Sequence, residues 1–369
     1  MKEVNIYGNP GKAGMIGKTE KSGKLGISRS SKGIRLNGNE SYIASDEKDI
    51  FKITTLIKNI ELNRYPDTEG LRVREGYAKY ANVKAENIIM GNGSDEMLSL
   101  VIGSTIGAGK KILVLDPDFS MYDFYISIND GEIIKYKVNE DGSFDVKDFI
   151  IFGINNNVDL IIFSNPNNPT GFALSNNQII KILKAFKDTK VIVDEAYYEF
   201  NKESIVEYIN EYKNLLVTRT LSKAWGLAAI RVGFLIGNEE LIKKLNNYKV
   251  PYNVNSLSQL VAENMLGNIE RVRKNSDEII IQREKMFSNL KLLENESSLE
   301  IRFYKSSANY IFGRTNYKDA LIKSLNNKGI VIRDFKDNSF RITVGSEYDN
   351  NKVVEAIRKA FVYKGGEVL

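Results

Sequence analysis

The chain reads as an α/β protein: a large unit built on a mostly parallel sheet, followed by a smaller α+β unit. Three observations predict this. First, five short runs are continuously apolar rather than alternating: Lys111–Leu115, Val158–Phe163, Lys190–Val193, Leu215–Thr218 and Val232–Ile236. Strands covered on both faces look like this, and such strands belong to parallel sheets. Second, a helical pattern over 97–107 precedes these runs and another over 178–187 reads as a crossover between two of them. Third, the texture changes near residue 265. A long charged helix over 265–294 leads into a strand over 299–313 and a helix over 317–328. Strands over 329–335 and 339–345 and a final helix close the chain.

The expected organisation is a flexible arm over 1–33, rich in Gly, Lys and Ser, then a large unit over 34–264 and a small one over 265–369. The first residues of the large unit are expected to contribute to the small one. The arm holds Gly14-Met15-Ile16-Gly17-Lys18-Thr19, which has the flavour of a phosphate-binding P-loop. Its spacing is wrong, because Lys12 stands where the first glycine is needed, and no apolar strand precedes it.

Composition narrows the chemistry. The 369 residues include neither cysteine nor histidine. That removes disulfides, thiol nucleophiles, His-ligated zinc, the Ser-His-Asp triad and the histidine general base. Acid–base work at neutral pH is left to Lys, Tyr, Asp, Glu or a cofactor. The net charge of +5 is mild and the charges are interspersed, so no nucleic-acid partner is expected. No apolar stretch approaches the ~20 residues of a membrane span, and no secretory leader is read at the N-terminus. A cytoplasmic location is expected, and no metal site.

Four segments carry candidate chemistry. Thr220-Leu221-Ser222-Lys223 follows a buried strand, with Arg231-Val232-Gly233 behind it. A lysine in so apolar a setting costs free energy as an ammonium, a cost that changes character when the amine is an imine to an aldehyde. Thr220, Ser222 and Arg231 supply hydroxyls and a forked cation for a phosphate. Asp194-Glu195-Ala196-Tyr197-Tyr198 ends another strand, on the edge where open α/β sheets place their active groups. An aspartate there suits a protonated ring nitrogen, and Tyr197 a ring oxygen. Ser164-Asn165-Pro166-Asn167-Asn168-Pro169-Thr170-Gly171 makes a stiff turn presenting Asn168. Gly91-Asn92-Gly93-Ser94-Asp95-Glu96 opens a helix, where free N–H groups bind anions. Taken singly, each has a plainer reading: a loop lysine, a strand-end cap, a solvent turn, a first turn with favourable acids.

Their order along the chain, with the aromatic segment Pro117-Asp118-Phe119-Ser120-Met121-Tyr122 between the 91–96 and 164–171 segments, resembles the class I/II aminotransferase superfamily from about residue 34 to the end. Arg64-Tyr65-Pro66-Asp67, Pro251-Tyr252-Asn253-Val254-Asn255 and Arg341-Ile342-Thr343-Val344-Gly345 look most like histidinol-phosphate aminotransferases. The resemblance implies the PLP-dependent transferase (aspartate-aminotransferase-like) fold, pyridoxal 5′-phosphate (PLP) as cofactor and a homodimer. It implies Lys223 as the Schiff-base lysine, Asp194 at the pyridine nitrogen, and Tyr197 and Asn168 at the ring oxygen. Gly93, Ser94, Asp95 through its backbone, Thr220, Ser222 and Arg231 would hold the cofactor phosphate, with Tyr65 reaching it from the partner subunit. Phe119 would stack on the ring, Tyr122 being the other candidate. Arg341, supported by Arg333, would grip the acidic end of the substrate.

One segment departs from the family pattern. Leu36-Asn37-Gly38-Asn39-Glu40-Ser41-Tyr42 lacks the usual proline, and Ser41 stands where relatives place a substrate-contacting tyrosine. Asn39 is expected at the substrate, with Tyr42 replacing that tyrosine by a one-residue shift. The expected reaction converts histidinol phosphate and 2-oxoglutarate to imidazole-acetol phosphate and glutamate. Threonine-phosphate decarboxylase and a broad-range or aromatic aminotransferase use similar motifs.

Overall fold

The structure, a computed structural model, describes residues 33–362. Of the 1–33 arm only Gly33 falls within them; the Gly14–Thr19 segment lies outside. Twelve strands are described: β1 (Ile34–Leu36), β2 (Ile88–Gly91), β3 (Lys111–Asp116), β4 (Glu132–Lys137), β5 (Leu160–Ser164), β6 (Lys190–Asp194), β7 (Leu215–Thr220), β8 (Gly233–Gly237), β9 (Arg302–Tyr304), β10 (Tyr310–Arg314), β11 (Ile330–Asp334) and β12 (Ser339–Thr343).

Seven of them form one sheet in the order β2-β8-β7-β6-β5-β3-β4. From β4 to β7 all neighbours are parallel. Alternate residues of each central strand go to opposite faces, as the two-residue period of a strand requires. Ile161, Phe163, Val191, Val193, Leu215 and Val217 join one core. Leu160, Ile162, Ile192 and Leu216 join another. Both faces are covered, hence the unbroken apolar runs.

The sheet differs from expectation at its margins. The strand expected at Val232–Ile236 is β8, and it runs antiparallel to both β7 and β2. Two strands gave no clear sequence signal. β2 is only four residues long. β4, Glu-Ile-Ile-Lys-Tyr-Lys, lies on the edge and is nowhere fully buried, so its polar and apolar residues mix. The reversal of β8 has a consequence for the site. Because β8 starts where β7 and β2 end, Gly233 pairs with both Thr220 and Gly91. The chain after β2, the chain after β7 and the entry to β8 therefore meet on the edge that also carries the ends of β3, β5 and β6.

Five strands form the second sheet, β1-β11-β12-β10-β9, in which β1 lies parallel to β11. Its core gathers Leu36, Leu290, Phe303, Ile311, Phe340, Ile342 and Phe361. Residues from the beginning and the end of the described chain thus share one core. The expected helix over 265–294 is two helices, Ser256–Leu266 and Ile269–Glu296, separated at Gly267 and Asn268; the Asn268 side chain accepts the Arg271 N–H and caps the second. The expected strand over 299–313 is the hairpin of β9 and β10. Among the described residues no helix is long and apolar enough to cross a membrane.

Candidate active site

A cleft opens where the large sheet's carboxyl edge faces the second sheet. Its inner part is lined by Ser94, Asp95, Phe119, Asn168, Asp194, Tyr197, Thr220, Ser222, Lys223 and Arg231. These come from six separate stretches of chain, and all were singled out in the sequence. The outer part, of about 520 Å3, shares Phe119, Asn168, Tyr197 and Lys223 and adds Asn39, Arg333 and Arg341.

Asp194 is the last residue of β6 and is 3% exposed. Its carboxylate accepts the hydroxyls of Thr218 and Tyr122, each at 2.9 Å. It forms no ion pair among the described residues. Burial pushes its pKa up to about 6, and the two hydroxyls only partly oppose this. A buried carboxylate without a cation is costly unless a positive group arrives to meet it.

The next residue behaves differently. Glu195 turns to the other side and pairs with Arg219 at 2.9 Å, both groups buried. Arg219 also donates to Ser204 and lies over the Tyr198 ring. Removing one partner of such a pair strands a buried charge, at ~3–5 kcal/mol. The Asp-Glu-Ala-Tyr-Tyr run thus splits its work: Asp194 and Tyr197 face the cleft, Glu195 and Tyr198 lock the strand end behind it.

An anion cradle closes the inner end. The helix Gly93–Thr105 begins here, four residues before the point expected from its apolar residues. Arg231 donates to Ser222 Oγ and to the Asp95 carboxylate, each at 3.1 Å, and Thr220 Oγ1 donates to Ser222 Oγ. Two glycines make the close packing possible. A Cβ on Gly93, whose φ is +77°, would lie 2.6 Å from the Arg231 guanidinium. One on Gly233 would lie 2.2 Å from the Ser94 nitrogen. Helix N–H groups, three hydroxyls and a guanidinium therefore converge on one spot, as an anionic group requires.

Lys223 stands between cradle and cleft mouth, its Nζ donating to Gly38 O at 3.0 Å. The walls are Phe119 and the 164–171 turn. That turn is buried rather than solvated: Asn167 and Asn168 are both nearly inaccessible. Asn167 is spent on Thr170 and the Pro117 carbonyl, leaving Asn168 to face the cleft. Tyr122 cannot serve as the stacking ring, because it is buried edge-on to Phe119 with its hydroxyl on Asp194.

At the mouth, Arg341 on β12 lies beside Arg333 of β11 in register. It is buried over the Tyr310 ring and donates to Asn37 O at 2.9 Å and to Asn168 Oδ1. Its Nε has no partner. Burial lowers its pKa. Asn39 is committed: with φ +53° it donates to Tyr197 Oη at 2.9 Å, and it is bound to Thr343 through both its N–H and its Oδ1. It orients Tyr197 more directly than it offers itself to a substrate.

One residue expected in this cleft is not brought to it. Tyr42 points elsewhere, its hydroxyl donating to Glu278 at 3.4 Å, and burial raises its pKa to about 12. The one-residue shift does not restore a tyrosine to the pocket, because the side chain packs against the large core instead. Tyr65 is 81% exposed and stacks on Tyr252 at 4.6 Å, away from its own chain's Lys223. Sequence reading missed Thr218, Tyr310 and the Asp118–Ser164 pair. Thr218 was findable, since it lies two residues before Thr220 on the same face of β7. Asp118 accepts the Phe119 N–H at 2.8 Å and both the N–H and hydroxyl of Ser164, and Ser164 Oγ accepts the Asn168 N–H, so it ties the two walls together. Nothing local in the sequence announces that link.

A profile of "Aminotransferase class I and II" proteins matches residues 34–357. The chain belongs to this family. It is 38% identical over 330 residues to a histidinol-phosphate aminotransferase of Clostridium kluyveri, covering 88% of this chain and 92% of that one. The crystal structure of a histidinol-phosphate aminotransferase from Clostridium acetobutylicum superposes with a TM-score of 0.79 at 26% identity, over 88% of this chain and 98% of that one. A Sinorhizobium meliloti histidinol-phosphate aminotransferase in complex with pyridoxal-5′-phosphate has the same fold, with a TM-score of 0.80 at 18% identity, over 89% and 90% of the two chains.

Proposed function

We propose that this chain is a PLP-dependent aminotransferase that passes the amino group of histidinol phosphate to 2-oxoglutarate, yielding imidazole-acetol phosphate and glutamate. The observation that carries the reading is the polarity of the cleft: an unpaired buried carboxylate at the floor, an anion cradle at one end, a lysine in the middle and an arginine pair at the mouth. The cofactor fits that pattern. Its phosphate belongs in the cradle of Gly93, Ser94, Asp95, Thr220, Ser222 and Arg231, and its protonated ring nitrogen belongs at Asp194. Tyr197 and the free Nδ2 of Asn168 are the donors for its ring oxygen, and Phe119 is the stacking wall.

When bound, PLP supplies an electron sink that acidifies the carbon bearing the substrate's amino group. Lys223 would hold the cofactor, and its amine, when free, would move a proton to and from that carbon. Asp194 keeps the ring nitrogen protonated, because the cation relieves its own unpaired charge. Arg341, with Arg333 beside it, binds the substrate phosphate in one half-reaction and the glutamate side-chain carboxylate in the other. No step needs a histidine or a thiol.

Homodimerisation is part of the proposal. Phe51, Leu62, Tyr65, Tyr248 and Val250 are all exposed apolar residues from two stretches that touch each other through the Tyr65–Tyr252 stack and Thr68. An apolar surface of this kind marks a protein interface, and it would carry Tyr65 to the partner's cradle. The absence of a membrane-crossing helix among the described residues accords with a cytoplasmic enzyme.

The test is steady-state. Purified enzyme with PLP, L-histidinol phosphate and 2-oxoglutarate should form glutamate. If L-threonine phosphate instead releases carbon dioxide and histidinol phosphate yields no glutamate, the chain is a decarboxylase on the same cofactor site.

A further inference from the structure

The turn between β11 and β12 overhangs the cleft mouth and is held from beneath. Lys318 Nζ donates to the carbonyls of Phe335 and Asp337 and pairs with Asp334 at 2.7 Å. Arg314 pairs with Asp337 and donates to Asn338. Asp337 also accepts Ser339, which lowers its pKa and holds it ionised. The charges of this turn are thus committed, with one exception. Lys336 lines the outer cleft beside Arg333 and Arg341, yet it makes no ion pair or hydrogen bond among the described residues. Two strong cations fix the turn from behind and leave its one uncommitted cation at the opening.

We propose that Lys336 is a specificity-determining residue, a third cation that favours a phosphate monoester dianion over a carboxylate at the mouth. This rests on the phosphate-amine transaminase reading. The reasoning is one of charge count. A carboxylate carries one negative charge and two acceptor oxygens, which the arginine pair satisfies. A phosphate monoester carries close to two charges at neutral pH and three terminal oxygens, so it leaves charge and an oxygen for a further donor. A compact, flexible ammonium suits that task, because it needs no fixed fork geometry. Being exposed, it acts through partly screened attraction, which bounds its effect.

The experiment compares the two half-reactions of the holoenzyme in Lys336→Gln and Lys336→Arg, by rapid mixing with L-histidinol phosphate or L-glutamate. In K336Q the apparent dissociation constant for histidinol phosphate should rise up to about fivefold, with glutamate's rising less than about twofold. K336R should recover most of the loss. Inorganic phosphate should compete with glutamate more weakly in K336Q than in the wild type. Equal losses for both amines, or no loss for either, overturn the assignment of Lys336. The wild-type traces report separately on the underlying reading: if wild-type holoenzyme does not react with histidinol phosphate but does react with glutamate, that reading fails. The inorganic phosphate competition then decides whether Lys336 still selects phosphate.

Discussion

The inner and outer halves of the cleft are built in different ways. The inner residues gather along the carboxyl edge of the large sheet, where Asp194 and the anion cradle are held from within that sheet, while Tyr197, Lys223 and Asn168 also bond to Asn39, Gly38 and Arg341 of the outer half. Thr218 holds Asp194 across neighbouring β7 and β6, and Ser222 lies nine residues from Arg231. The outer half joins chain segments about 300 residues apart. Asn39 is tied to Thr343, and Arg341 to the carbonyl of Asn37. Under the proposed function the inner half would hold the cofactor and the outer half the substrate, and the outer half contains the Leu36–Tyr42 segment whose motif departs from the expected pattern.

Variants can break this comparison. The largest effect is expected at the inner half. Lys223→Ala should lower transamination by about 10²–10⁴-fold, the scale of a lost general acid–base group, and remove the visible band of the holoenzyme; single-turnover mixing would show it, and retained turnover would contradict the assignment. Arg341→Gln tests the outer half. It should reduce kcat/KM for histidinol phosphate and for glutamate alike, by about 10–100-fold, since a charge-assisted hydrogen bond contributes ~1.5–3 kcal/mol. Cofactor absorbance should be unchanged. A loss of cofactor in this variant would mean that the halves are not separable.

Asp194 gives a pH signature. Its carboxyl has a model-compound value of 3.8 and titrates near 6 in the folded apoprotein. Between these values the folded chain holds the extra proton, so the group's stabilising contribution is full below about pH 4 and is lost as pH rises through about 6. The loss is on the order of 2–3 kcal/mol, at ~1.4 kcal/mol per pKa unit. Apo Asp194→Asn should escape that loss. Thermal unfolding at pH 5 and pH 7.5 should show a smaller decline for the variant than for the wild type, and PLP should reverse the ranking. Identical slopes would argue against an uncompensated carboxylate. The smallest effect is reserved for Tyr42→Phe, which removes only the long bond to Glu278. Either half-reaction should change by less than about twofold; a tenfold loss would return Tyr42 to the substrate pocket.

The same contrast explains what the sequence made legible. The central strands were readable because both faces are buried and their runs are unbroken. Strand-end motifs then located Asp194, Asn168 and Lys223, since a short local pattern fixes a side chain at a known edge. β4 was not readable because an edge strand need not be apolar, nor β2 because four residues carry little signal. The reversal of β8 was hidden for another reason: an apolar run encodes burial, not direction. Asp118 and Tyr310 were missed because their roles exist only once distant segments meet. Tyr42 was misjudged for the complementary reason. Its position in the chain resembled that of a pocket residue, but the backbone after Asn39 directs it toward Glu278.

The most direct test of the account is a single half-reaction. Yellow holoenzyme is mixed with L-histidinol phosphate in a stopped-flow spectrometer, and 2-oxoglutarate is then added. The account predicts rapid loss of the visible band and its return with the keto acid, because the inner half carries the cofactor and the outer half admits the phosphate. A band that does not move with histidinol phosphate, yet bleaches with glutamate, would contradict the assignment of the outer half.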